Sequence, residues 1–230
     1  MKTQHPIPVI YEDNHILIVE KPVNIPTQQD ISGDMDLLTM LKQDIKERYN
    51  KPGNVFLGLV HRLDRPVGGV MVFAKTSKAA SRLSNSIRTH QMEKEYMAVI
   101  HGTPSKQKGK LIHYLKKDTN LNKVYSVAKN VKDSKEAILE YEIKGSRDGF
   151  SLAQIRLHTG RSHQIRVQFS EIGCPLYGDQ KYGEKGNKKN QQIALWSKRI
   201  SFCHPTLKND IEFHSSPPPV FPWNLWKGNS

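Results

Sequence analysis

Short apolar runs separated by turn residues dominate the chain, and this pattern predicts more strands than helices. Residues 8–11 and 15–19 are apolar and flank Glu12-Asp13-Asn14, which predicts a β-hairpin near the start of the chain. Apolar and polar positions alternate, with one exception, over residues 137–143, as in a half-buried strand. A turn at Arg147-Asp148-Gly149 is placed to join that strand to a partner. The remaining strands are predicted at residues 55–63, 70–74, 96–100, 151–157 and 193–202.

Helical periodicity is confined to three segments of the chain. Thr76 or Ser77 can cap the second of these helices, and Ser162 can cap the third. Residues 106–135 are polar and basic, which predicts hairpins and loops. The predicted helices cover residues 35–49, 76–89 and 162–172.

The order of these elements predicts an α+β fold with a mixed, mostly antiparallel central sheet and flanking helices. Hairpin-length turns join several of the strands, and such turns connect antiparallel neighbours. No hydrophobic break divides the chain cleanly, and 230 residues suit one large domain. We therefore predict a single domain over residues 1–230.

Composition narrows the classes of partner and compartment. Lys and Arg number 35 against 22 Asp and Glu, a formal net charge of +13, which favours nucleic acid first and acidic membrane surfaces second. A protein that is basic for unrelated reasons has the same composition, so charge alone leaves the function open. Cys174 and Cys203 lack disulfide or zinc spacing, which fits a reducing compartment. Because there is no signal segment and no run of about 18 apolar residues, we expect a cytoplasmic protein.

The first segment that carries candidate chemistry is His61-Arg62-Leu63-Asp64-Arg65, followed by a turn at Pro66 to Gly69. Arg62 and Arg65 flank Asp64 in sequence, and nearby cations favour the ionised carboxylate. A sharp turn between two strands can project Asp64 into a cleft. The structural alternative is an ion-paired turn residue, and this segment alone favours that alternative.

Two further segments carry candidate binding groups. Residues 158–168 contain Arg161, His163 and Arg166 at the start of the third predicted helix. Because His163 and Arg166 are three residues apart, we expect them to share one helix face, where imidazole and guanidinium suit a phosphate or carboxylate. A solvated basic helix face is the structural alternative. Lys94 lies just before the predicted strand at residues 96–100, and Tyr96 is its first residue. The ring of Tyr96 either packs in the core or provides a surface on which a nucleobase stacks.

Several other chemistries have no signal in the sequence. There is no Gly-rich phosphate loop, no dinucleotide-binding fingerprint and no Gly-x-Ser-x-Gly nucleophile turn. The ten His residues show no metal-site spacing. We therefore predict a reaction that needs no nucleotide, flavin or metal cofactor.

Taken together, these segments resemble the RluA-type family of RNA pseudouridine synthases over residues 7–221. No single motif carries the resemblance, because its specificity lies in the order and spacing of the motifs. The motifs include HRLDR at residues 61–65, KEYMAV at 94–99, TGRSHQIRV at 159–167, GDQKYG at 178–183 and FCHP at 202–205.

The resemblance implies roles for three residues. Asp64 falls on the catalytic aspartate, Tyr96 on the tyrosine that stacks on a flipped uracil and can act as a general base, and Arg166 on the arginine that pairs with the catalytic carboxylate. Asp64 would attack the anomeric carbon of the sugar or the uracil ring, or would first deprotonate the sugar, and the sequence leaves these routes open. No atom enters or leaves in this isomerisation, so no cofactor is implied.

RNA is the partner that the resemblance implies, either ribosomal or transfer RNA, with neither a membrane nor an obligate protein partner. We expect a monomer whose RNA contacts come from the basic face of the core. The predicted hairpin starts within ten residues of Met1, so we expect no separate N-terminal RNA-binding domain. The residues predicted to contact RNA are Arg62, Arg65, Lys94, Arg161 and His163.

The chain departs from the family pattern at several positions near the predicted site. Val67-Gly68-Gly69 stands where the family usually has Thr-Ser-Gly or a near variant, Trp196-Ser197 replaces a His-Ala pair, and Gln168 replaces a frequent His. The first change removes two hydroxyls and favours the main rival interpretation, a non-catalytic RNA-binding protein of the same fold. A phosphodiesterase that uses His158 and His163 is a weaker rival.

Overall fold

The computed structural model describes residues 7–226, which divide into two compact units. Unit 1 comprises Met1–Met92 and Ser197–Ser216, and unit 2 comprises Glu93–Trp196 and Pro217–Ser230. The single catalytic domain predicted over residues 1–230 stays a prediction. None of the helices within residues 7–226 has the length and apolar character needed to span a membrane.

Strands outnumber helices throughout the described residues. The helices are α1 (Leu37–Arg48), α2 (Ser77–Arg88) and α3 (Gln164–Glu171). The strands are β1 (Val9–Glu12), β2 (Ile16–Lys21), β3 (Gly58–Leu59), β4 (Gly68–Ala74), β5 (Glu93–His101), β6 (Lys108–Asp118), β7 (Lys123–Val127), β8 (Lys135–Arg147), β9 (Phe150–Leu157), β10 (Leu195–Cys203) and β11 (Asp210–His214). The predicted α+β class, with a mixed sheet and few helices, is confirmed.

The predicted opening hairpin is present in unit 1 as β1 and β2. Its turn is held by Asp13, whose Oδ1 accepts hydrogen bonds from the backbone N–H groups of His15 and Ile16, each at 2.7 Å. The other oxygen of Asp13 lies 2.9 Å from Nε2 of the buried His204. Strand β2 continues the sheet by pairing antiparallel with β4. Asp13 therefore links the turn to neighbouring residues of the hairpin and to His204, which is distant in sequence.

The core of unit 1 lies between its sheet and α2. Of the two predicted caps, Thr76 is the one that caps α2, since its Oγ1 accepts a hydrogen bond from the backbone N–H of Ala79 at 3.1 Å. Apolar side chains of β2 and β4 pack with those of α2, as alternating strand positions and helical spacing require. The buried members of this cluster include Ile16, Ile18, Val70, Val72, Ala79, Leu83, Ile200 and Phe202.

Two sequence-based expectations for unit 1 are wrong. The strand predicted over residues 55–63 shrinks to Gly58–Leu59, because the following residues leave the ladder and turn toward Asp64. Strand β11 was not predicted and pairs antiparallel with β10. It has no fully buried position, so its apolar signal is weak and only its partner strand makes it a strand.

Unit 2 is built on an antiparallel succession of five strands in the order β5-β9-β8-β6-β7. The polar region predicted to form hairpins supplies β6 and β7. Tyr96, Ile155 and Tyr141 lie opposite one another on adjacent strands, so their side chains share one face of the sheet. The ring of Tyr141 meets Phe169 of α3 at 5.5 Å, which places the helix on that face.

The third helix begins later than the sequence suggests. Its N-cap is His163, in a left-handed conformation with φ 52°, and no side chain caps it, so the predicted cap by Ser162 is wrong. Gln164 serves the turn instead, since its Oε1 accepts a hydrogen bond from the backbone N–H of Arg161 at 3.0 Å. His163 and Arg166 therefore do not share a helix face, because His163 lies outside the helix.

Candidate active site

The turn that carries Asp64 in unit 1 is held by donors to four of its backbone carbonyls. Thr27 Oγ1 donates to the carbonyl of Leu63 at 2.8 Å, and the N–H of Val67 donates to that of Asp64 at 2.9 Å. Lys21 Nζ donates to the carbonyls of Arg65 at 3.0 Å and of Val67 at 2.7 Å. The course of the turn is thus fixed through its backbone.

Lys21 is a functional neighbour that sequence reasoning missed. It ends strand β2 with no exposed surface, and its ammonium also donates to the carbonyl of Pro22 at 3.0 Å. Burial lowers the pKa of Lys21 to about 7, against the opposing attraction of the Asp64 carboxylate. Lys21 and the Asp64 carboxylate therefore interact electrostatically. The available sequence signal was a lysine at the end of a strand that begins with four apolar residues, where a buried charge needs partners.

The last residue of Val67-Gly68-Gly69 agrees with the family pattern, and a glycine there has a steric explanation. Gly69 has φ +116°, and a Cβ at this residue would lie 2.2 Å from the backbone oxygen of Ser197. Ser197 Oγ also donates to the carbonyl of Val70 at 3.0 Å, so the two segments lie in close contact. Only glycine fits at position 69.

Arg65, one of the predicted RNA contacts, is engaged within unit 1. Its Nη2 donates to the carboxylate of Asp34, its Nη1 bonds Ser32 Oγ at 3.0 Å, and Asp30 lies 3.8 Å away. The hydrogen bond to Asp34 and its charge raise the pKa of Arg65, and the same hydrogen bond lowers the pKa of Asp34. Among the described residues, no comparable partner is found for the Arg62 side chain.

Arg166 forms a buried ion pair with Asp179 in unit 2. The Nε and Nη2 groups of Arg166 donate to the two carboxylate oxygens of Asp179, each at 2.8 Å. Burial would raise the pKa of Asp179, but the hydrogen bonds and charge of Arg166 outweigh it and hold that pKa below its usual value. A two-point contact of this kind fixes the plane of the guanidinium. Asp179 appeared in the sequence only within a family motif.

Tyr182 contacts two of the predicted residues in unit 2. Its hydroxyl lies 2.6 Å from His163 Nδ1, and the Arg166 guanidinium lies over its ring at 5.2 Å from the centroid. His158, by contrast, approaches Glu140, with 3.1 Å between Nε2 and a carboxylate oxygen. The imidazoles of His158 and His163 are thus directed at different protein groups, which gives the phosphodiesterase interpretation no support.

Lys94 and Tyr96 are two residues apart on β5, so their side chains lie on the same side of the sheet. Tyr96 is buried. Lys94 Nζ lies 3.3 Å from the place a Cβ on Gly160 would occupy, and burial lowers the pKa of Lys94. Arg161 is exposed, and its Nε donates to the carbonyl of Glu136 at 2.9 Å. Lys94, Tyr96, Arg161, His163 and Arg166 all belong to unit 2, whereas Arg62, Asp64 and Arg65 belong to unit 1.

A metal centre finds no support in this geometry. Within residues 7–226, no group of three or more His, Cys, Asp or Glu side chains is arranged to hold a metal ion. The polar groups that are gathered near the predicted residues are guanidinium, ammonium, imidazole, phenol and paired carboxylates. Such groups bind anions and move protons.

Comparison with known proteins decides which chemistry this arrangement serves. Residues 15–171, more than half of the chain, match the family model described as RNA pseudouridylate synthase. The chain belongs to the RluA-type family of RNA pseudouridine synthases. It is thus an isomerase that acts on uridines in RNA.

The family's relatives align with nearly the whole chain. An uncharacterized RNA pseudouridine synthase of Aquifex aeolicus (strain VF5) is 32% identical over 229 residues, which covers 94% of this chain and 71% of the relative. Ribosomal large subunit pseudouridine synthase D of Zymomonas mobilis is 30% identical, covering 93% of this chain and 70% of that protein.

A solved structure of the family has the same fold. The structure of human RNA pseudouridylate synthase domain containing 4 superimposes with a TM-score of 0.75 at 21% identity, covering 92% of this chain and 88% of that chain. The fold inferred from hydrophobic patterning is therefore that of the pseudouridine synthases.

Proposed function

We propose that this pseudouridine synthase uses Asp64 as its catalytic carboxylate, with Tyr96 and Arg166 as its catalytic partners. The observation that carries the proposal is the turn itself. Lys21, Thr27 and Val67 hold its carbonyls, so its backbone has supports that do not involve the Asp64 side chain. That arrangement argues against Asp64 as a residue that merely ties the turn together.

The reaction breaks the bond between N1 of uracil and C1′ of ribose and forms a bond from C5 to C1′. N1 gains a proton and C5 loses one, so the atoms balance without a co-reactant. Asp64 attacks the anomeric carbon or the ring, or deprotonates the sugar first. In each route the ionised carboxylate is the reacting form, and Lys21 is the charged neighbour that the structure gives to Asp64.

Tyr96 and Arg166 have roles that suit their surroundings. Tyr96 stacks on the flipped uracil, since a base must leave the helix before its ring atoms can be reached. Its hydroxyl is also a candidate general base for the proton lost from C5. Arg166 is assigned to orient the catalytic carboxylate. The plane of the Arg166 guanidinium is itself fixed by Asp179.

RNA binding is assigned to basic side chains on both units, namely Arg62, Arg65, Lys94, Arg161 and His163. Arg65 must exchange the Asp34 carboxylate for an RNA phosphate to take part. Arg62 requires no such exchange, so it is the candidate to fill the gap left by the flipped base. The proposal includes a monomeric state and a location in the cytoplasm. The net charge of +13 supports a polyanionic substrate.

Ribosomal RNA is the favoured substrate, and transfer RNA is the alternative. Relatives named ribosomal large subunit pseudouridine synthases C and D support the first choice. Pseudouridine mapped at single-nucleotide resolution in total RNA from cells that lack the protein distinguishes the two. The expected result is one or more ribosomal sites that disappear and return when the wild-type gene is restored.

The catalytic assignment is tested by restoring Asp64→Asn in place of the wild type. We expect the missing sites to stay unmodified while the purified variant keeps its thermal midpoint and its affinity for RNA. Asp44→Asn, which changes an exposed carboxylate on α1, is the matched control and is expected to restore every site. A variant Asp64→Asn that still isomerises uridine would refute the assignment, and one that fails to fold would support the structural alternative.

Tyr96 is tested by Tyr96→Phe, which keeps the ring for stacking and removes the hydroxyl. A loss of rate of about 100-fold or more with unchanged RNA affinity assigns acid–base work to the hydroxyl, within the usual range for such catalysis. An unchanged rate limits Tyr96 to stacking.

A further inference from the structure

The hydroxyl of Tyr182 joins a backbone group of the β6–β7 hairpin to a predicted RNA-binding side chain. It accepts a hydrogen bond from the N–H of Val124 at 2.8 Å and lies 2.6 Å from Nδ1 of His163. Val124 belongs to β7, whereas His163 is the left-handed residue at the start of α3. A single oxygen thus fixes the ring of His163 relative to the hairpin.

The ring of Tyr182 makes a second, separate set of contacts. The guanidinium of Arg166 lies over it at 5.2 Å from the centroid, and the ammonium of Lys123 lies at 6.0 Å. Both distances are within the range of cation–π attraction. Tyr182 also packs against a buried cluster that includes Leu115, Val124 and Val167. The aromatic face is therefore part of the surroundings that orient Arg166, along with Asp179.

The backbone of Tyr182 is held independently of its side chain. Its N–H donates to Asp179 Oδ1 at 3.1 Å, and its carbonyl accepts from Ser170 Oγ at 2.7 Å. These bonds fix the segment to the carboxylate that pairs with Arg166 and to α3. Removing the hydroxyl alone is therefore expected to leave the segment in place.

We propose that Tyr182 is a positioning residue, whose ring orients Arg166 for catalysis and whose hydroxyl fixes His163 and the β6–β7 hairpin for RNA binding. The inference rests on the proposed function, because it assigns Tyr182 to act through Arg166 and His163. The two halves of the side chain then serve different steps. The hydroxyl influences substrate affinity, and the aromatic face influences the rate of the chemical step.

Two substitutions separate the halves. Tyr182→Phe keeps the ring and removes the hydroxyl, so KM is expected to rise by about 3- to 10-fold, the size of one hydrogen bond, with the single-turnover rate changed by less than about twofold. Tyr182→Leu also removes the ring, and it is expected to lower the single-turnover rate by a further 3- to 30-fold or so, the range of a cation–π contact.

Tyr49→Phe is a matched control outside the hairpin, at the end of α1 in unit 1. The Tyr49 hydroxyl donates to Glu12 at 3.1 Å, and the ammonium of Lys75 lies over its ring at 5.2 Å from the centroid. Loss of this hydroxyl is expected to change neither KM nor the single-turnover rate. A control that behaves like Tyr182→Phe would overturn the proposal, because the effect would then follow from any lost tyrosine hydroxyl.

A thermodynamic cycle with His163→Ala provides a test that does not depend on Tyr182→Leu folding. If the hydroxyl acts through His163, Tyr182→Phe adds little to the KM of the His163→Ala variant. Fully multiplicative effects would overturn this part of the proposal. Thermal unfolding of each variant shows whether a lost rate reflects only a smaller folded fraction, which would overturn the positioning role.

Failure of this inference is distinguishable from failure of the proposed function. Asp64→Asn and Arg166→Ala variants that are inactive, beside Tyr182 variants with unchanged KM and rate, would refute only the positioning role. An Asp64→Asn variant that retains isomerisation would refute the proposed function itself, whatever the Tyr182 variants do.

Discussion

Arg166 and Asp179 are both buried and form an ion pair through two hydrogen bonds, each with an N–O distance of 2.8 Å. Asp179 also accepts hydrogen bonds from the backbone N–H groups of Lys181 and Tyr182. The carboxylate thus organises a loop and a guanidinium together. Removing it takes two charged hydrogen bonds from the buried guanidinium of Arg166.

Asp179→Ala is expected to lower the free energy of unfolding by about 3–5 kcal/mol, the usual cost of leaving one member of a buried pair without its partner. Urea unfolding of the purified protein measures it. Asp148→Ala is the matched control, since Asp148 pairs with Arg147 at 3.6 Å on the surface, and it is expected to cost no more than about 1 kcal/mol. Equal losses in the two variants would contradict the structural importance of the buried pair.

We expect the same ion pair to make the free energy of unfolding depend on pH in the acid range. The folded-state pKa of Asp179 is lowered, so its contribution is present above the unfolded-state pKa of about 3.9 and is lost as pH falls through the folded-state value. Asp179→Asn cannot titrate, so the difference in unfolding free energy between wild type and variant is expected to shrink as pH falls below about 4. A difference that is constant down to pH 2 or so would show that the carboxylate does not titrate in this range.

Lys21 predicts a stability change in the opposite pH range. Its folded-state pKa is lowered to about 7, whereas an unfolded lysine keeps its proton to about 10.4. Between these values the unfolded chain binds more protons, so the stability of the wild type rises with pH. Lys21→Met lacks this contribution, so its deficit in unfolding free energy is expected to grow between about pH 7 and pH 10.

The deficit of Lys21→Met also has a part that does not depend on pH, because three carbonyls lose their donor. We expect about 1–3 kcal/mol at pH 7, the cost of unsatisfied buried acceptors. Lys75→Met is a control. Lys75 directly follows β4, whereas Lys21 pairs with Gly69 near the start of that strand, and the Lys75 ammonium donates to Glu12 at 2.6 Å. A pH-dependent difference in both variants would point away from Lys21.

Gly69→Ala is expected to prevent correct folding of unit 1, because the added Cβ would meet the backbone of Ser197 at 2.2 Å. The measurement is the soluble yield and the thermal midpoint of the variant. Gly33→Ala is the control, since Gly33 also has positive φ, at +72°, but open space around its Cβ position. It is expected to cost about 1–2 kcal/mol, the penalty of left-handed backbone alone.

Asp34→Asn is expected to tighten RNA binding about two- to fivefold, because breaking an exposed ion pair releases Arg65 for a phosphate. Titration with target RNA at several salt concentrations measures the effect, which is expected to weaken as salt rises. Asp44→Asn makes the same charge change beside Arg48 and is expected to have a smaller effect. Weaker binding by Asp34→Asn would instead show that the ion pair positions the loop that the RNA contacts.

Local patterns predicted most of the regular elements of this protein. The alternating positions of β8, the opening hairpin and the Thr76 cap of α2 all depend on neighbours in sequence, and each is confirmed. Strand β11 and the shortened β3 escaped prediction, because what makes or ends a strand there is pairing with a distant segment. Ser162 failed as a cap for a similar reason, since Gln164 supplies the bond that a cap would have made.

The sequence by itself determined the family, the α+β class and the positions of Asp64, Tyr96 and Arg166, because ordered motifs and hydrophobic spacing are properties of the chain. Only the tertiary structure decided which groups surround them. Lys21 reaches the Asp64 turn across 44 and 46 positions, and Asp179 reaches Arg166 across 13. Hydrogen bonds and buried charges act over a few ångströms in space, and no separation in sequence specifies which residues will come that close.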